Sequence, residues 1–221
     1  MKNFVMQNIK WFGQYSLQIN VNGLTVFIDP FNLPENYNQK ADLVLITHSH
    51  FDHLSFDDLQ KVVRENTYIY APSDAYEKLK NKGYKNLVKV EPQMEFTFKN
   101  LKFETVPMYN IVKTQYHPKE NKWNGYVLTI DNKRIYIAGD TERIPEMKNI
   151  NADIVFMTLG QVYTMNSVQE AVEAVLDTKA SLAIPVHYGM YEGTEDDAKK
   201  FSELLQKQGV QTIILDKLGK K

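Results

Sequence analysis

The sequence of 221 residues contains no cysteine. This absence excludes disulfide bridges, thiolate zinc sites and cysteine nucleophiles, and it fits a reducing cytoplasm. An excess of charge of either sign is also missing, because 26 basic and 27 acidic residues give a formal net charge of -1. A protein that binds nucleic acid usually shows a broad basic face, so this balance argues against nucleic acid as a partner.

Long apolar runs are absent as well. No run approaches the length that a bilayer-spanning helix needs, and residues 1–10 lack the apolar core of a signal peptide. The composition, with 43% hydrophobic and 24% charged residues, is typical of a soluble globular protein. We therefore expect one cytoplasmic domain over residues 1–221, with no membrane association.

Histidine is scarce, and three of the five histidines fall in one short window. The apolar run at residues 43–46 is typical of a buried strand, and it is followed by His48, His50, Asp52 and His53. His48 and His50 project to the same side if the backbone stays extended. Neutral imidazole and carboxylate groups hold zinc or a similar divalent ion and leave a position open for water. Such clustering favours a metal site over a polar loop with unrelated histidines.

Two later apolar strands also end at a residue that can bind a metal ion. The strand that closes on Gly139 is followed by Asp140, whose carboxylate is well placed to lie between two ions. The alternative for Asp140 is a helix cap before Arg143. The strand at residues 183–186 leads to His187, for which a local hydrogen bond is the alternative.

The spacing His-x-His-x-Asp-His after an apolar strand resembles the signature of the metallo-β-lactamase-fold hydrolases. The resemblance extends back over the hairpin that leads to Asp29 and Pro30, and forward to Asp140 and His187. It implies an α/β (α+β) fold, a four-layer αββα sandwich of two mixed β-sheets flanked by helices. It also implies two divalent metal ions as cofactors, with zinc preferred and manganese or iron accepted.

The resemblance implies a division of the ligands between the two ions. His48, His50 and His117 hold one ion, Asp52, His53 and His187 hold the other, and Asp140 lies between them. His117 departs from the commonest family pattern, in which the lone histidine follows directly on a strand end. A branch that resembles the ascorbate-phosphate lactonases and other uncharacterised hydrolases has Tyr-Asn and then His-Pro in this loop, as here. The alternative is that His117 is a surface residue and that Asn110 or water completes the coordination.

The chemistry implied is hydrolysis of an ester, a lactone or a phosphodiester of a small substrate. Asp52 can orient the attacking hydroxide or accept its proton, and Asp29 can either orient a ligand histidine or cap a turn. Tyr188 and Tyr163 are candidates to bind or protonate the leaving oxygen, with packing as the alternative. A nuclease using the same dinuclear site is the alternative function. A di-iron redox enzyme of this fold is disfavoured, because position 50 is then a carboxylate and here it is His50.

Strands and helices alternate along both halves of the chain, which predicts two pseudo-repeated mixed sheets covered by helices. Asn22-Gly23 predicts a hairpin turn. Ser55, Ser73 and Ser167 are expected to cap the N-termini of helices, and Thr194 is expected to begin the last helix. Helical spacing predicts two inward faces, one of Val168, Ala171, Val172, Val175 and Leu176, and one of Ala198, Phe201, Leu204 and Leu205.

Overall fold

The computed structural model describes residues 1–220, which form two compact units. The N-terminal unit comprises Asn3–Glu91 together with the segment from Asp216 onward, and it contains a six-stranded sheet. The C-terminal unit comprises Pro92–Leu215 with Met1 and Lys2, and it contains a seven-stranded sheet. The prediction of two mixed sheets is confirmed, while a single domain over residues 1–221 stays a prediction.

The sheet of the N-terminal unit is mixed. Strands β1 to β3 run antiparallel to one another, and β3 to β6 run parallel. The carboxyl ends of β3, β4 and β5 therefore meet at one edge of the sheet, where loops are free to carry functional groups. The strands are β1 (Ile9–Gly13), β2 (Ser16–Val21), β3 (Leu24–Ile28), β4 (Leu43–Leu45), β5 (Tyr68–Pro72) and β6 (Leu87–Val90), with helices α1 (Lys2–Asn8), α2 (Phe56–Val62) and α3 (Ser73–Asn81).

The sheet of the C-terminal unit is also mixed. Strands β7 to β10 are antiparallel, and β10 to β13 are parallel. Because β9 is antiparallel to both of its neighbours, β8 runs in the same direction as β10, β11 and β12. The strands are β7 (Glu95–Phe98), β8 (Leu101–Pro107), β9 (Asn124–Ile130), β10 (Lys133–Ile137), β11 (Ile154–Thr158), β12 (Leu182–Val186) and β13 (Gln211–Thr212), with helices α4 (Val168–Asp177) and α5 (Glu195–Lys207).

Turn and cap chemistry explains most of the element boundaries. Asn22 and Gly23 both have positive φ, 52° and 76°, as a tight hairpin between β2 and β3 requires. The side chains of Ser55, Ser167 and Thr194 each accept a hydrogen bond from a backbone N–H in the first turn of their helix. Those three helix starts are confirmed.

Some local predictions are wrong. Helix α3 is capped by Pro72 without a side-chain hydrogen bond, so Ser73 is its first residue and not its cap. Leu176 was expected on the inward face of α4, but it is 38% exposed. Leu176 directly follows Val175, 100° further round the helix, where the apolar stripe has already ended. The sequence also gave no indication of helix α1 before the first strand.

Continuous apolar strands make up the centre of each unit. Every residue of β4, β11 and β12 is buried, as the apolar runs in these parallel strands lead one to expect. In the N-terminal unit, helices α2 and α3 contribute Leu59, Val62 and Leu79 to a buried cluster with Phe27 and Val44. These packed strands give fixed positions to the loops at their carboxyl ends. Among residues 1–220, no helix is both long enough and apolar enough to cross a membrane.

Candidate metal centre

In the N-terminal unit, the histidine cluster follows β4 at the edge where the parallel strands end. The Nε2 atom of His48 lies 2.9 Å from the Nδ1 atom of His50. The hydroxyl of Thr47 lies 2.9 Å from Nδ1 of His48 and donates to Asp29 at 2.6 Å. Because that hydroxyl donates its proton to Asp29, it accepts the proton of His48 Nδ1. This leaves the lone pair on Nε2 of His48 for a ligand.

Asp29 orients His53. Its Oδ2 lies 2.7 Å from Nδ1 of His53, and its Oδ1 accepts the backbone N–H of Thr47 at 2.8 Å. Burial raises the pKa of Asp29, while the hydrogen bond and charge of His53 and the bonds from Thr47 act in the opposite direction. A carboxylate that receives Nδ1–H fixes the ring so that Nε2 is the ligand atom. Asp29 has φ of 42°, an uncommon backbone conformation for a non-glycine residue.

Asp52 completes this cluster. Its Oδ2 accepts a hydrogen bond of 2.9 Å from the buried side-chain amide of Gln14, and it lies 3.7 Å from Nε2 of His53. Gln14 is in the turn between β1 and β2, with φ of 46°, and its carbonyl accepts the indole N–H of Trp11. The first hairpin of the chain therefore holds one oxygen of Asp52 in place.

In the C-terminal unit, Asp140 lies between two histidines. Its Oδ1 is 3.1 Å from Nε2 of His187, and its Oδ2 is 3.4 Å from Nε2 of His117. Asp140 follows β10 and His187 follows β12, so the parallel strands bring both to one edge of the sheet. Gly139 before it has φ of 70°. The alternative cap role for Asp140 is wrong, because the next helical turn, at Pro145–Asn149, is capped by Ile144.

Glu192 fixes the ring of His187. Its Oε1 lies 3.0 Å from Nδ1 of His187, so the ring presents Nε2 to Asp140. The same carboxylate accepts the backbone N–H groups of Val162 and Tyr163 at 2.9 and 2.7 Å. Burial alone would raise the pKa of Glu192, but the hydrogen bond and charge of His187, with the Tyr163 N–H, hold it below its ordinary value. His187 itself has φ of 59°, a strained backbone of the kind found at functional sites.

His117 is buried in the loop that follows β8, so the structure does not place it on the surface. Its backbone carbonyl accepts the N–H of Asn110 at 2.8 Å. The Asn110 amide donates to the carbonyls of Tyr163 and Lys113 at 2.7 and 3.1 Å, and its oxygen accepts the N–H of Glu142. These three bonds use the side chain of Asn110 for holding loops, and its amide nitrogen also lies 3.2 Å from Nδ1 of His117. Asn110 is therefore a poor substitute for a histidine ligand.

The donor atoms within each unit fit a divalent metal ion. Two ligands that each lie about 2.1 Å from one zinc ion are roughly 3.0 to 3.4 Å apart, for angles between 90° and the tetrahedral value. The pairs His48–His50, His117–Asp140 and His187–Asp140 are separated by 2.9, 3.4 and 3.1 Å. His48, His53 and His187 each have an oxygen acceptor beside Nδ1, which is the arrangement of metal-binding histidines. These His and Asp side chains form candidate metal-binding clusters.

The two tyrosines of the sequence analysis differ in their surroundings. Tyr188 is completely buried after His187, and burial, with a contribution from the Glu195 carboxylate, raises its pKa well above the ordinary value. Its hydroxyl therefore stays protonated at neutral pH. Tyr163 is exposed, and its ring packs edge-on against Tyr116, with centroids 5.0 Å apart.

Sequence reasoning did not find three buried residues that support the ligands, namely Gln14, Glu142 and Glu192. Glu142 accepts three backbone N–H groups, from Ile111, Val112 and Lys113, at 2.7, 2.7 and 2.9 Å. It thereby shapes the start of the loop that carries His117. A signal was present for Glu192, which lies between Gly189 and Gly193 close after the candidate ligand His187. Nothing in the local sequence marks Gln14 or Glu142.

Residues 21–188 match the family described as the Beta-lactamase superfamily domain. Since this match covers more than half of the sequence, the chain belongs to that family.

The relatives cover nearly the whole chain. A solved structure from Parabacteroides distasonis, described as a metal-dependent hydrolase, is 33% identical with a TM-score of 0.84, and covers 94% of this chain and 93% of its own. The UPF0173 metal-dependent hydrolase of Bacillus cereus is 29% identical over 216 residues, with 90% of this chain and 92% of the relative covered. Igni18, a metallo hydrolase of Ignicoccus hospitalis, is 22% identical with a TM-score of 0.79, covers 96% of this chain and 95% of its own, and shows the fold alone.

These comparisons confirm two predictions. The αββα sandwich of the metallo-β-lactamase fold is the fold class of the chain. The enzyme class is metal-dependent hydrolase, as in the relatives that match nearly the full length.

Proposed function

We propose that this enzyme binds two divalent metal ions and uses them to hydrolyse an ester, a lactone or a phosphodiester of a small substrate. In this proposal, His48, His50 and His117 hold one ion, Asp52, His53 and His187 hold the other, and Asp140 bridges them. The observation that carries the proposal is the Asp140 carboxylate, whose two oxygens each lie close to the Nε2 atom of a different buried histidine.

The chemistry of the donor atoms also supports the assignment of the ligands to two ions. The two proposed ligand groups are both candidate metal-binding clusters, built from imidazole nitrogens and carboxylate oxygens. Such donors accept zinc, manganese and iron, and we propose zinc as the native ion. When bound, two such ions activate a water molecule at neutral pH and polarise the scissile group.

The residues of the chain orient the reacting groups and handle the protons. Asp29 and Glu192 receive Nδ1–H of His53 and His187, which fixes both rings. Gln14 holds Oδ2 of Asp52, so that this carboxylate has a defined direction in which to orient the attacking water and accept its proton. Tyr188, protonated at neutral pH, is the proposed donor to the leaving oxygen. Location in the cytoplasm stays a prediction from composition.

The first test is metal content per chain, measured by elemental analysis on protein purified without chelator. We expect about two ions for the wild type. In Asp140→Ala, activity should be abolished and metal content should fall, because both ions lose a ligand. Asp196→Ala removes the same kind of group from the surface of α5 and should change neither. Wild-type metal content and activity in Asp140→Ala would contradict the dinuclear site.

The second test concerns His117. In His117→Ala, occupancy of one ion should fall while the other ion stays bound, because the other ion has its own histidines. Elemental analysis after dialysis at a fixed, low metal concentration measures this difference. If metal content is unchanged, His117 is not a ligand and the first ion relies on other donors.

The substrate class is tested with a panel of a lactone, a carboxylic ester, a small phosphodiester and a single-stranded oligonucleotide. We expect turnover of at least one small substrate and none of the oligonucleotide. Preferential cleavage of the oligonucleotide would instead support the alternative, a nuclease with the same ligands.

A further inference from the structure

Three loops of the C-terminal unit follow strands that end at the same edge of its sheet. They are residues 108–118 after β8, residues 159–165 after β11 and residues 187–193 after β12. The first loop carries His117 and the third begins with His187. We call these residues together the three-loop face.

Partly buried hydrogen bonds from Lys113 join the first two loops. The ammonium group of Lys113 donates to the carbonyls of Gln161, Thr164 and Met165 at 3.0, 2.7 and 2.8 Å. These three carbonyls fix the second loop against the first at several points. The conformation of both loops is therefore set before any substrate arrives, which lowers the ordering cost of binding.

Glu192 joins the third loop to the second. Besides the N–H groups of Val162 and Tyr163, its carboxylate accepts the hydroxyl proton of Thr164 at 2.9 Å. Gly160 allows this close approach, because a Cβ atom there would lie 1.7 Å from Cδ of Glu192. The loops that hold His117 and His187 are consequently parts of one rigid assembly.

The charged side chains of the three-loop face are used internally. Apart from its two histidines, the face has Lys113, bound to three carbonyls, and Glu192, bound to His187 and the second loop. Neither charge is available for a charged substrate group. An anionic phosphate or sugar phosphate would find no fixed cation on this face.

Most outward side chains of the face are apolar, although the polar Thr114 and Gln115 are exposed as well. Glu142 and Glu192 hold the backbone N–H groups inward, and the neighbouring side chains point to solvent. Single exposed apolar residues are ordinary, but a group of them beside candidate metal ligands marks a binding surface. The exposed apolar residues are Ile111, Val112, Tyr116, Val162, Tyr163, Met190 and Tyr191.

We propose that the three-loop face binds the uncharged acyl or aryl part of the substrate. The inference rests on the proposed hydrolase function and names its substrate class: an ester or lactone with an apolar side, in preference to a phosphodiester. Val112 and Val162 are 69% and 51% exposed, so their side chains offer apolar contact area and are not part of the packed core. Their replacement by serine keeps the fold and removes apolar contact.

The test uses the double variant Val112→Ser/Val162→Ser and the matched control Ile214→Ser. Ile214 is 41% exposed and lies outside the face, after β13. Fluorescence of the uncharged apolar dye Nile red reports binding without turnover, in protein with and without metal. Hydrolysis of p-nitrophenyl acetate and p-nitrophenyl octanoate reports chain-length preference in the loaded enzyme.

We expect the wild type and Ile214→Ser to bind Nile red, and the double variant to bind it about tenfold more weakly, since a lost methylene-sized contact typically costs this factor. The ratio of kcat/KM for octanoate over acetate should fall by about the same factor in the double variant only. Equal Nile red binding in all three proteins overturns the proposal. So does an octanoate-to-acetate ratio that the double variant leaves unchanged.

The two proposals fail in different ways. If the dye result holds but metal-loaded enzyme hydrolyses neither ester, the face binds apolar groups and the ester chemistry of the proposed function is wrong. If esters are hydrolysed with no effect of the double variant, the hydrolase stands and the assignment of the three-loop face is overturned. Phosphodiester turnover above ester turnover also overturns the substrate class.

Discussion

Replacing Glu192 by Gln should weaken metal binding by changing the tautomer of His187. The carboxylate oxygen Oε1 now lies 3.0 Å from Nδ1 of His187, while Oε2 accepts two backbone N–H groups. In the variant, the amide oxygen stays with the two backbone donors, and the amide nitrogen faces His187. Two donors then meet, so the His187 proton moves to Nε2, and Nε2 can no longer bind a cation.

The expected losses of metal affinity and stability in Glu192→Gln follow from the contacts of this carboxylate. Loss of an outer carboxylate that orients a histidine ligand typically lowers metal affinity by about 10- to 100-fold. The acceptor of the two backbone hydrogen bonds changes from a charged carboxylate to a neutral amide oxygen, and each bond is then weaker by roughly 1 kcal/mol. The free energy of unfolding without metal should therefore fall by about 2 kcal/mol. Affinity is measured by competition with a chromogenic zinc chelator, and stability by urea unfolding in the presence of EDTA.

Glu142→Gln is the matched comparison. Glu142 is equally buried and accepts three backbone N–H groups, but its bonds are to the loop and not to an imidazole. It should lose similar stability with a smaller loss of metal affinity. The reasoning about His187 is refuted if both variants lose affinity equally, or if Glu192→Gln binds zinc within twofold of the wild type.

Two other changes test the packing and the charges of the C-terminal unit. Gly160→Ala places a Cβ atom 1.7 Å from Cδ of Glu192, so the carboxylate must move. We expect the free energy of unfolding, measured with urea, to fall by about 1 to 3 kcal/mol. An unchanged free energy of unfolding would mean that the loop shifts freely. Burial alone would raise the pKa of Glu146, but its own backbone N–H and the Tyr109 hydroxyl lower it below 4.5. Its contribution to stability is thus present above that pH and is lost as the pH falls through the lowered pKa. Glu146→Gln should make the decline of stability below about pH 4.5 shallower, and a parallel decline in both proteins would contradict this.

The sequence could predict the strands and the candidate ligands for a physical reason. Apolar runs such as residues 43–46 form buried parallel strands, and a His or Asp directly after such a run must lie at the strand end. This reasoning led to His48, Asp140 and His187, and the structure places each of them there. Asp29 was singled out through the resemblance to the family, and its bond to His53 shows the orienting arrangement. The metal roles themselves stay predictions.

The supporting residues could not be predicted, because their partners are distant in the sequence. Gln14 and Asp52 are 38 residues apart, and Ile111 N–H and Glu142 are 31 apart. No local period or spacing connects such pairs. The exposed position of Leu176 was missed for a related reason, since the width of a helix's buried stripe depends on what packs against it.

His117 shows what a combination of sequence and structure can establish. The sequence left two interpretations, a ligand or a surface residue, because this histidine lies ten residues beyond the end of β8. The structure buries it and brings its Nε2 close to Asp140, and it also commits the Asn110 amide to three loop bonds. A long loop that needs Glu142, Asn110 and Lys113 to hold it would be a costly way to bury one imidazole without a ligand. The three residues that hold this loop thus favour His117 as a ligand more strongly than its position in the sequence does.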